Sequence, residues 1–228
     1  MNETLFQILT LALPLIFAIV FHEVAHGYVA KLLGDPTASE EGRLTLNPLR
    51  HVDIFGTVLM PGMLALAHLP VFGFAKPVPV NKWKLRNPRR DMMLVAAAGP
   101  GINLVMALVA AVGIGLLVRW LGEGEALYEN FWGDNLYNFL QINIFLALFN
   151  LIPLPPFDGS HIVEGILPAR AAAWYRRIGR IGMLLPFLLL VILPQIFPHF
   201  DPLGRLILPP AKWLGEHLLF LGDWVARL

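Results

Sequence analysis

The amino-acid sequence predicts an all-α polytopic membrane protein, on three observations. Hydrophobic residues make up 57% of the 228-residue chain and charged residues only 14%, where soluble domains carry about 25% charged residues. Uncharged runs such as Thr4 to Phe21 and Met92 to Val118 are long enough to cross a bilayer. Basic and acidic residues fall in different loops, as in a protein with a fixed orientation across a membrane. The formal net charge is +1 and no basic tract is present, which argues against nucleic acid as a partner. The chain has no cysteine. That removes disulfides and thiolate metal sites, leaving His, Asp and Glu as metal ligands.

The expected elements follow in order. A first span covers residues 5–33, with Pro14 able to kink it, and Gly34-Asp35-Pro36 stops it. Its N-terminus lacks the basic region and small-residue cleavage site of a signal peptide, so the span is expected to be retained. Thr37 to Asp53 is polar. Residues 54–81 form a re-entrant or extended hairpin region: an apolar run to Phe72, broken at Pro61-Gly62 and Pro70, then the extended stretch Gly73 to Asn81. A basic loop with Lys82, Lys84, Arg86, Arg89 and Arg90 precedes the second span, 92–118. The loop from Gly122 to Asn135 holds acids and no Lys or Arg. A third span, 136–159, ends in the proline-broken Asn150…Pro153-Leu154-Pro155-Pro156-Phe157-Asp158-Gly159, and a short helix follows from Ser160 to Leu167. A further span is expected at 181–197. The tail, 203–228, is either another span or an interfacial helix.

The chemistry is concentrated in His22-Glu23-Val24-Ala25-His26, late in the first span. Residues four apart share a helix face, so both imidazoles can serve one metal ion. Glu23 lies beside them, placed to take a proton from water at the metal. Two histidines, a carboxylate and an open position suit zinc, one ion per chain. Ionisable residues in a membrane span are costly and mark a functional site. The competing reading is a chance match, both histidines bonding backbone carbonyls.

A zinc site needs a third protein ligand. Asp158 is the candidate, in the irregular backbone that ends the third span. Such backbone is tolerated at membrane depth only when it is buried in protein or lines a wet cavity. The competing reading makes Asp158 a cap for the helix near Ser160. The basic loop before 92–118 and the acidic loop after it orient that span from cytoplasm outward, which puts Asp158 toward the cytoplasm. His22 and His26 must then lie on the same side. Residues 54–72 therefore fold back near Pro61-Gly62 rather than cross, although hydropathy alone reads them as an ordinary span.

With these residues assembled, the chain resembles the site-2 protease family of intramembrane zinc metalloproteases. The likeness rests on His22-Glu23-Val24-Ala25-His26, on Asn150…Pro153…Pro155…Asp158-Gly159, and on Gly99-Pro100 with Asn103. It is nearest the small bacterial and archaeal members without appended domains. The resemblance implies a core of three transmembrane helices carrying the zinc site, with one or two further C-terminal helices. It implies His22, His26 and Asp158 as ligands, Glu23 as general base, and Asn150 as a contact to the substrate or its developing oxyanion. It suggests that Gly73, Phe74, Ala75, Val78 and Val80 pair with unwound substrate as an added strand; the alternative is a plain connection. Asn103 either contacts the site or joins a helix interface. His161 stands where an arginine is expected. The implied substrates are single-span membrane proteins or signal-peptide remnants, in a prokaryotic cell membrane with the active site toward the cytoplasm. The rival from another class is a metal-binding membrane transporter or sensor, for which Glu23 is dispensable.

Overall fold

Uncharged chain in a bilayer must satisfy its own backbone polar groups, and the helix does so within one segment. The computed structural model describes residues 2–66, 75–122, 130–179, 182, 184–197 and 199–228, and every described element is helical. The first helix, α1 (Glu3–Leu32), starts where the Asn2 side chain accepts from the Thr4 N–H, and it runs through Pro14. Gly34, at φ 113°, makes the left-handed turn after it. A short α2 (Thr37–Glu40) follows. Residues Ile54–Leu59 form a π-helical segment that passes directly into α3 (Met60–Leu66). The backbone is thus helical through Pro61-Gly62, where a bend was expected. The remainder of the expected hairpin region, residues 67–74, lies outside the described residues.

The longest helix, α4 (Pro88–Leu121), opens on proline at its first position, and Asp91 accepts from the Asn87 N–H at 2.7 Å. The next, α5 (Phe131–Asn150), is capped by Asn130. After the proline-rich turn come α6 (Asp158–Ile166) and α7 (Ala169–Ile178), the latter not foreseen. The expected span at 181–197 is described as α8 (Leu184–Phe187), a π segment (Leu188–Ile192) and α9 (Leu193–Ile196). From Leu184 to Ile196 this run is roughly 20 Å long at about 1.5 Å per residue, less than the ~30 Å hydrocarbon core. The tail forms α10 (Pro202–Leu206) and α11 (Leu208–Ala226).

Helices α1, α4 and α5 pack on one another. Their contacts fix their directions. Thr10 lies beside Asn138, Ala18 beside Asn103, and His22 beside Asp158. Hence α1 and α5 run the same way and α4 runs against both. The C-terminal end of α1 meets the N-terminal end of α4, where the Arg86 N–H donates to Leu33 O at 3.2 Å. The interior is built from small residues: Ala18, Ala107, Ala110, Ala111 and Ala147 are at most 1% exposed. Small side chains let helix backbones approach closely.

Two helices, α1 and α4, are long and apolar enough to cross a membrane, and only 22% and 33% of their apolar windows are buried. The core helix of a soluble protein buries most of its apolar face; here Leu104, Val105, Leu108, Val109 and Leu116 of α4 point outward. In water each such side chain would forfeit about 1.5–3 kcal/mol of burial. In lipid it forfeits none.

The tail helix α11 packs along α4 and α5. A Cβ on Gly115 would stand 2.2 Å from the Gly222 carbonyl oxygen, and one on Gly222 would stand 2.7 Å from that of Ala111. Gly115→Val is therefore expected to push α11 off α4. Thermal unfolding in detergent should show a lower midpoint than wild type, with metal content per chain unchanged, because the pair lies away from His22 and His26.

Candidate metal centre

The sequence places His22 and His26 one helical turn apart, and the fold turns both rings toward α4 and α6. The rings meet edge to face, with centroids 4.6 Å apart. Their Nε2 atoms are 3.0 Å from each other. Asp158 Oδ2 lies 3.2 Å from His22 Nε2 and 3.3 Å from His26 Nε2. Among the described residues this is the only group of His, Asp or Glu side chains gathered closely enough to hold a metal ion.

The other ring nitrogens decide what these atoms carry. His22 Nδ1 is 2.6 Å from Asn103 Oδ1, and His26 Nδ1 is 2.7 Å from Val95 O. A carbonyl oxygen only accepts, so each Nδ1 bears a proton, and in the neutral imidazole the lone pair then falls to Nε2. Asp158 Oδ2 is buried and has no hydrogen-bond donor among the described residues. Three electron-rich atoms thus converge on one buried point. A single proton would satisfy one of the three contacts; a cation at the centre satisfies all of them. Tetrahedral zinc with bonds of about 2.0–2.1 Å sets its ligand atoms about 3.3 Å apart, close to the separations here. The donor set fits zinc.

The neighbouring backbone makes room. A Cβ on Gly99 would lie 2.4 Å from His26 Nε2 and 2.5 Å from His22 Cε1. Only glycine lets α4 come this near the imidazoles. Asp158 is the first residue of α6, and the N-cap position belongs to Phe157, whose side chain makes no capping bond. The carboxylate therefore reaches the histidines instead of closing its own helix. A Cβ on Gly159 would lie 2.3 Å from Leu151 O and 2.5 Å from Ile152 O, so the Asp-Gly pair is what the tight turn after α5 admits.

Glu23 faces an extended strap, residues 75–81. Its Oε2 accepts from the Val78 N–H at 2.7 Å. The strap is fastened elsewhere too. The Lys76 N–H donates to His51 O at 2.8 Å, and Arg43 Nη2 donates to Lys76 O at 2.9 Å. The Asn81 N–H donates to Asp35 Oδ2. Val78 is 7% exposed and packs on α1 at Gly27, where a Cβ would stand 2.7 Å from its Cγ1. Sequence reasoning missed Asp35 and Arg43 as latches, although Asp35 in a Gly-Asp-Pro stop is a signal for side chain to backbone bonding.

The remaining expected site residues are dispersed. Ala75 and Val80 are half-buried in the strap, and Gly73 and Phe74 lie outside the described residues. Asn150 is half-buried and donates to Leu146 O at 3.0 Å, within its own helix. Asn103 is fully buried, its amide spent on His22, on Ala18 O at 3.2 Å and on Asn143 Oδ1 at 2.7 Å. It touches a histidine of the cluster and offers no exposed atom.

A model of the family described as peptidase family M50 matches residues 117–193, the part of the chain that carries Asn150 and Asp158. A protein of Bacillus subtilis, YwhC, is 39% identical over 209 residues, which cover 90% of this chain and 87% of its own length. The chain belongs to peptidase family M50. This is the site-2 protease family to which the sequence motifs pointed. Other M50-like relatives are more distant. Rip2 of Mycobacterium tuberculosis is 29% identical over 75% of this chain and 63% of its own length. MJ0611 of Methanocaldococcus jannaschii is 32% identical over 64% of each. All three carry the name "Putative zinc metalloprotease". No solved structure matches the chain.

Gly99→Ala should drive a methyl group into both imidazoles. Zinc per chain, measured by elemental analysis after purification in detergent, is expected to fall well below that of wild type, while the helical circular dichroism is kept. The strap makes a separate prediction. Burial alone would raise the Asp35 pKa. Hydrogen bonds from the Thr37 hydroxyl, the Asn81 N–H and the Thr37 N–H, with Lys84 nearby, outweigh burial and hold it below the usual 3.8. A depressed carboxyl stabilises the fold above its unfolded pKa, and that contribution is lost as pH falls through the folded value. Asp35→Asn should melt lower than wild type at neutral pH and lose less stability below about pH 4, as followed by thermal melts across pH.

Proposed function

We propose that this chain is a zinc-dependent intramembrane endopeptidase that hydrolyses peptide bonds within or near transmembrane segments. The observation that carries the reading is the buried meeting of His22 Nε2, His26 Nε2 and Asp158 Oδ2, set between helices whose apolar faces point outward. The zinc metalloprotease names of the M50 relatives support the same metal and the same chemistry. Residues 1–228 act as a single integral membrane protease domain, with α1, α4 and α5 as its three core spans. The α1 C-terminus and α4 N-terminus share one end of the bundle, which supports a connection of residues 54–81 that makes no net crossing. Lys82, Lys84, Arg86, Arg89 and Arg90 gather at that end, which supports a cytoplasmic active site in a multi-pass protein. His26 is about 9 Å from the end of α1 and Gly99 about 16 Å from the start of α4, at 1.5 Å per residue. The centre therefore sits inside the slab, toward one face.

His22, His26 and Asp158 hold the zinc. When bound it supplies Lewis acidity, polarising a scissile carbonyl and acidifying water. Glu23 takes the proton from the attacking water and returns it to the leaving amine. The Val78 N–H holds Glu23 Oε2 and leaves Oε1 for that exchange. A helical substrate hides its backbone and must unwind to be cut, so it needs replacement hydrogen bonds. The strap supports such pairing, with one restriction. The N–H groups of Lys76 and Val78 are taken, and Pro77 and Pro79 have none. Over Lys76–Pro79 the strap has no N–H to give, and Arg43 Nη2 already donates to the Lys76 and Pro77 carbonyls at 2.9 and 3.4 Å, so what is left to a substrate is acceptors and it must bring the donors. Asn150, the last residue of α5, contacts the substrate or its developing oxyanion with the amide oxygen that its bond to Leu146 O leaves free. Substrates are single-span membrane proteins or signal-peptide remnants.

The test compares wild type, Glu23→Gln and Asp158→Asn for zinc per chain and for cleavage of a fusion carrying a membrane segment. Glu23→Gln should keep zinc and lose activity by about 10²–10⁴-fold, the usual worth of a general base. Asp158→Asn should lose both. Cleavage that survives Glu23→Gln, or zinc retained in full by Asp158→Asn, would sink the reading.

A further inference from the structure

Asn143 is fully buried on α5 and touches none of the proposed ligands. Its Nδ2 donates to Phe139 O at 2.7 Å, one turn back on its own helix, and its Oδ1 accepts from Asn103 Nδ2 at 2.7 Å. Asn103 Nδ2 also donates to Ala18 O at 3.2 Å, and Asn103 Oδ1 faces His22 Nδ1 at 2.6 Å. The sense of this chain is fixed at its ends. Phe139 O and Ala18 O are backbone carbonyls and can only accept. Phe139 O therefore orients the Asn143 amide, leaving its oxygen toward α4. That oxygen and Ala18 O together require Asn103 to turn its NH₂ to them. The Asn103 oxygen is then left for His22, whose Nδ1 must carry the proton. The lone pair goes to Nε2, the atom facing His26 and Asp158.

We infer that Asn143 is a positioning residue for the metal centre, acting through Asn103 to fix the tautomer and ring plane of His22. The inference rests on the zinc reading above and deepens it: α5 helps to shape the ligand set borne by α1. Buried amides between helices otherwise lined by Ala107, Ala111, Ile144 and Ala147 are an unneeded cost for packing alone. They are explained once one of them must hold an imidazole. His26 has no such device, because its Nδ1 meets the Val95 carbonyl directly. The two ligands are thus oriented independently, one by backbone and one by a side-chain relay from two other helices.

The experiment titrates detergent-purified protein with zinc against a chromophoric chelator. It compares wild type, Asn103→Leu, Asn143→Leu and Ile144→Ala. Ile144 is equally buried and adjacent, and it belongs to the apolar cluster with Ala107 and Leu140 and has no polar side-chain atom to join the relay, so its variant reports on destabilisation alone. Asn103→Leu is expected to weaken zinc binding roughly 10–100-fold, the usual cost of losing a partner behind a metal-bound histidine. Asn143→Leu should weaken it about tenfold, and Ile144→Ala should lower the melting midpoint while leaving zinc affinity unchanged. Should the leucine variant fail to fold, Asn143→Ser makes the same test. Its hydroxyl still bonds the helix carbonyl but ends short of Asn103. Nitrogen-15 spectra of the imidazoles give a second readout: His22 Nδ1 protonated in wild type, and a tautomer mixture once Asn143 is replaced. The inference is overturned if the Asn143 variants bind zinc as wild type does, or lose no more affinity than Ile144→Ala. Wild-type protein that takes up no stoichiometric zinc overturns the functional reading, and this inference with it.

Discussion

Three lone-pair atoms forced together between packed helices are the constraint on which the rest of the molecule depends. His22 Nε2, His26 Nε2 and Asp158 Oδ2 lie within 3.3 Å of one another. Left alone they repel. Such an arrangement survives only if the surrounding helices are stiff enough to impose it and a cation is there to relieve it. The stiffness is visible. Each Nδ1 is tethered at 2.6–2.7 Å, and Asp158 is carried on a turn tight enough to require Gly159. A metal held by these three atoms would therefore couple its binding to folding, as happens where a site does not exist in the unfolded chain.

Close approach of backbones is the means. Gly99 lets α4 lie against the imidazoles, Gly27 lets the strap lie against α1, and Gly115 with Gly222 lets α11 lie against α4. In a bilayer, helices gain little by hiding apolar surface from lipid that is equally apolar. Packing and hydrogen bonds must serve instead, and interhelical hydrogen bonds in membranes average only about 0.6 kcal/mol each. Left unpaired, a buried amide such as Asn103 would cost about 1–3 kcal/mol. The amides on α4 and α5 are thus weak glue if considered for stability alone. Their worth lies in what they orient.

The local features were legible in the sequence because they depend on neighbours along the chain. His22 and His26 sit four apart on a helix, and the uncharged run 92–118 lies inside α4, which begins four residues earlier at Pro88 and runs to Leu121. Asp158 was reached by chemical need, since two histidines do not complete a zinc site. The rest depends on contacts between residues distant in sequence. Nothing in the composition of Lys76-Pro77-Val78 says that Glu23, 55 positions earlier, would accept its N–H. Asn143 carries no motif, and its meaning appears only when α5 lies beside α4. At Pro61-Gly62, where the sequence suggests a bend, the backbone is helical from Ile54 to Leu66, a continuity that proline as a local signal does not foretell. The tail was left open between span and interfacial helix, since periodicity cannot reveal that Gly222 meets the backbone of α4.

The prolines of the strap carry a consequence for the behaviour of the protein among its own copies. An extended segment held beside a cleft would ordinarily be a template on which any stray chain could nucleate a sheet, and edges of this kind are a recognised route to aggregation. Over Lys76–Pro79 no N–H is left to donate, and the carbonyls not held by Arg43 remain as acceptors. Two such segments brought face to face would set carbonyl against carbonyl and part. A guest whose amides are unspent would find the complement it lacks. The asymmetry that would admit a foreign strand is the same one that would keep identical molecules from zipping together in a crowded membrane.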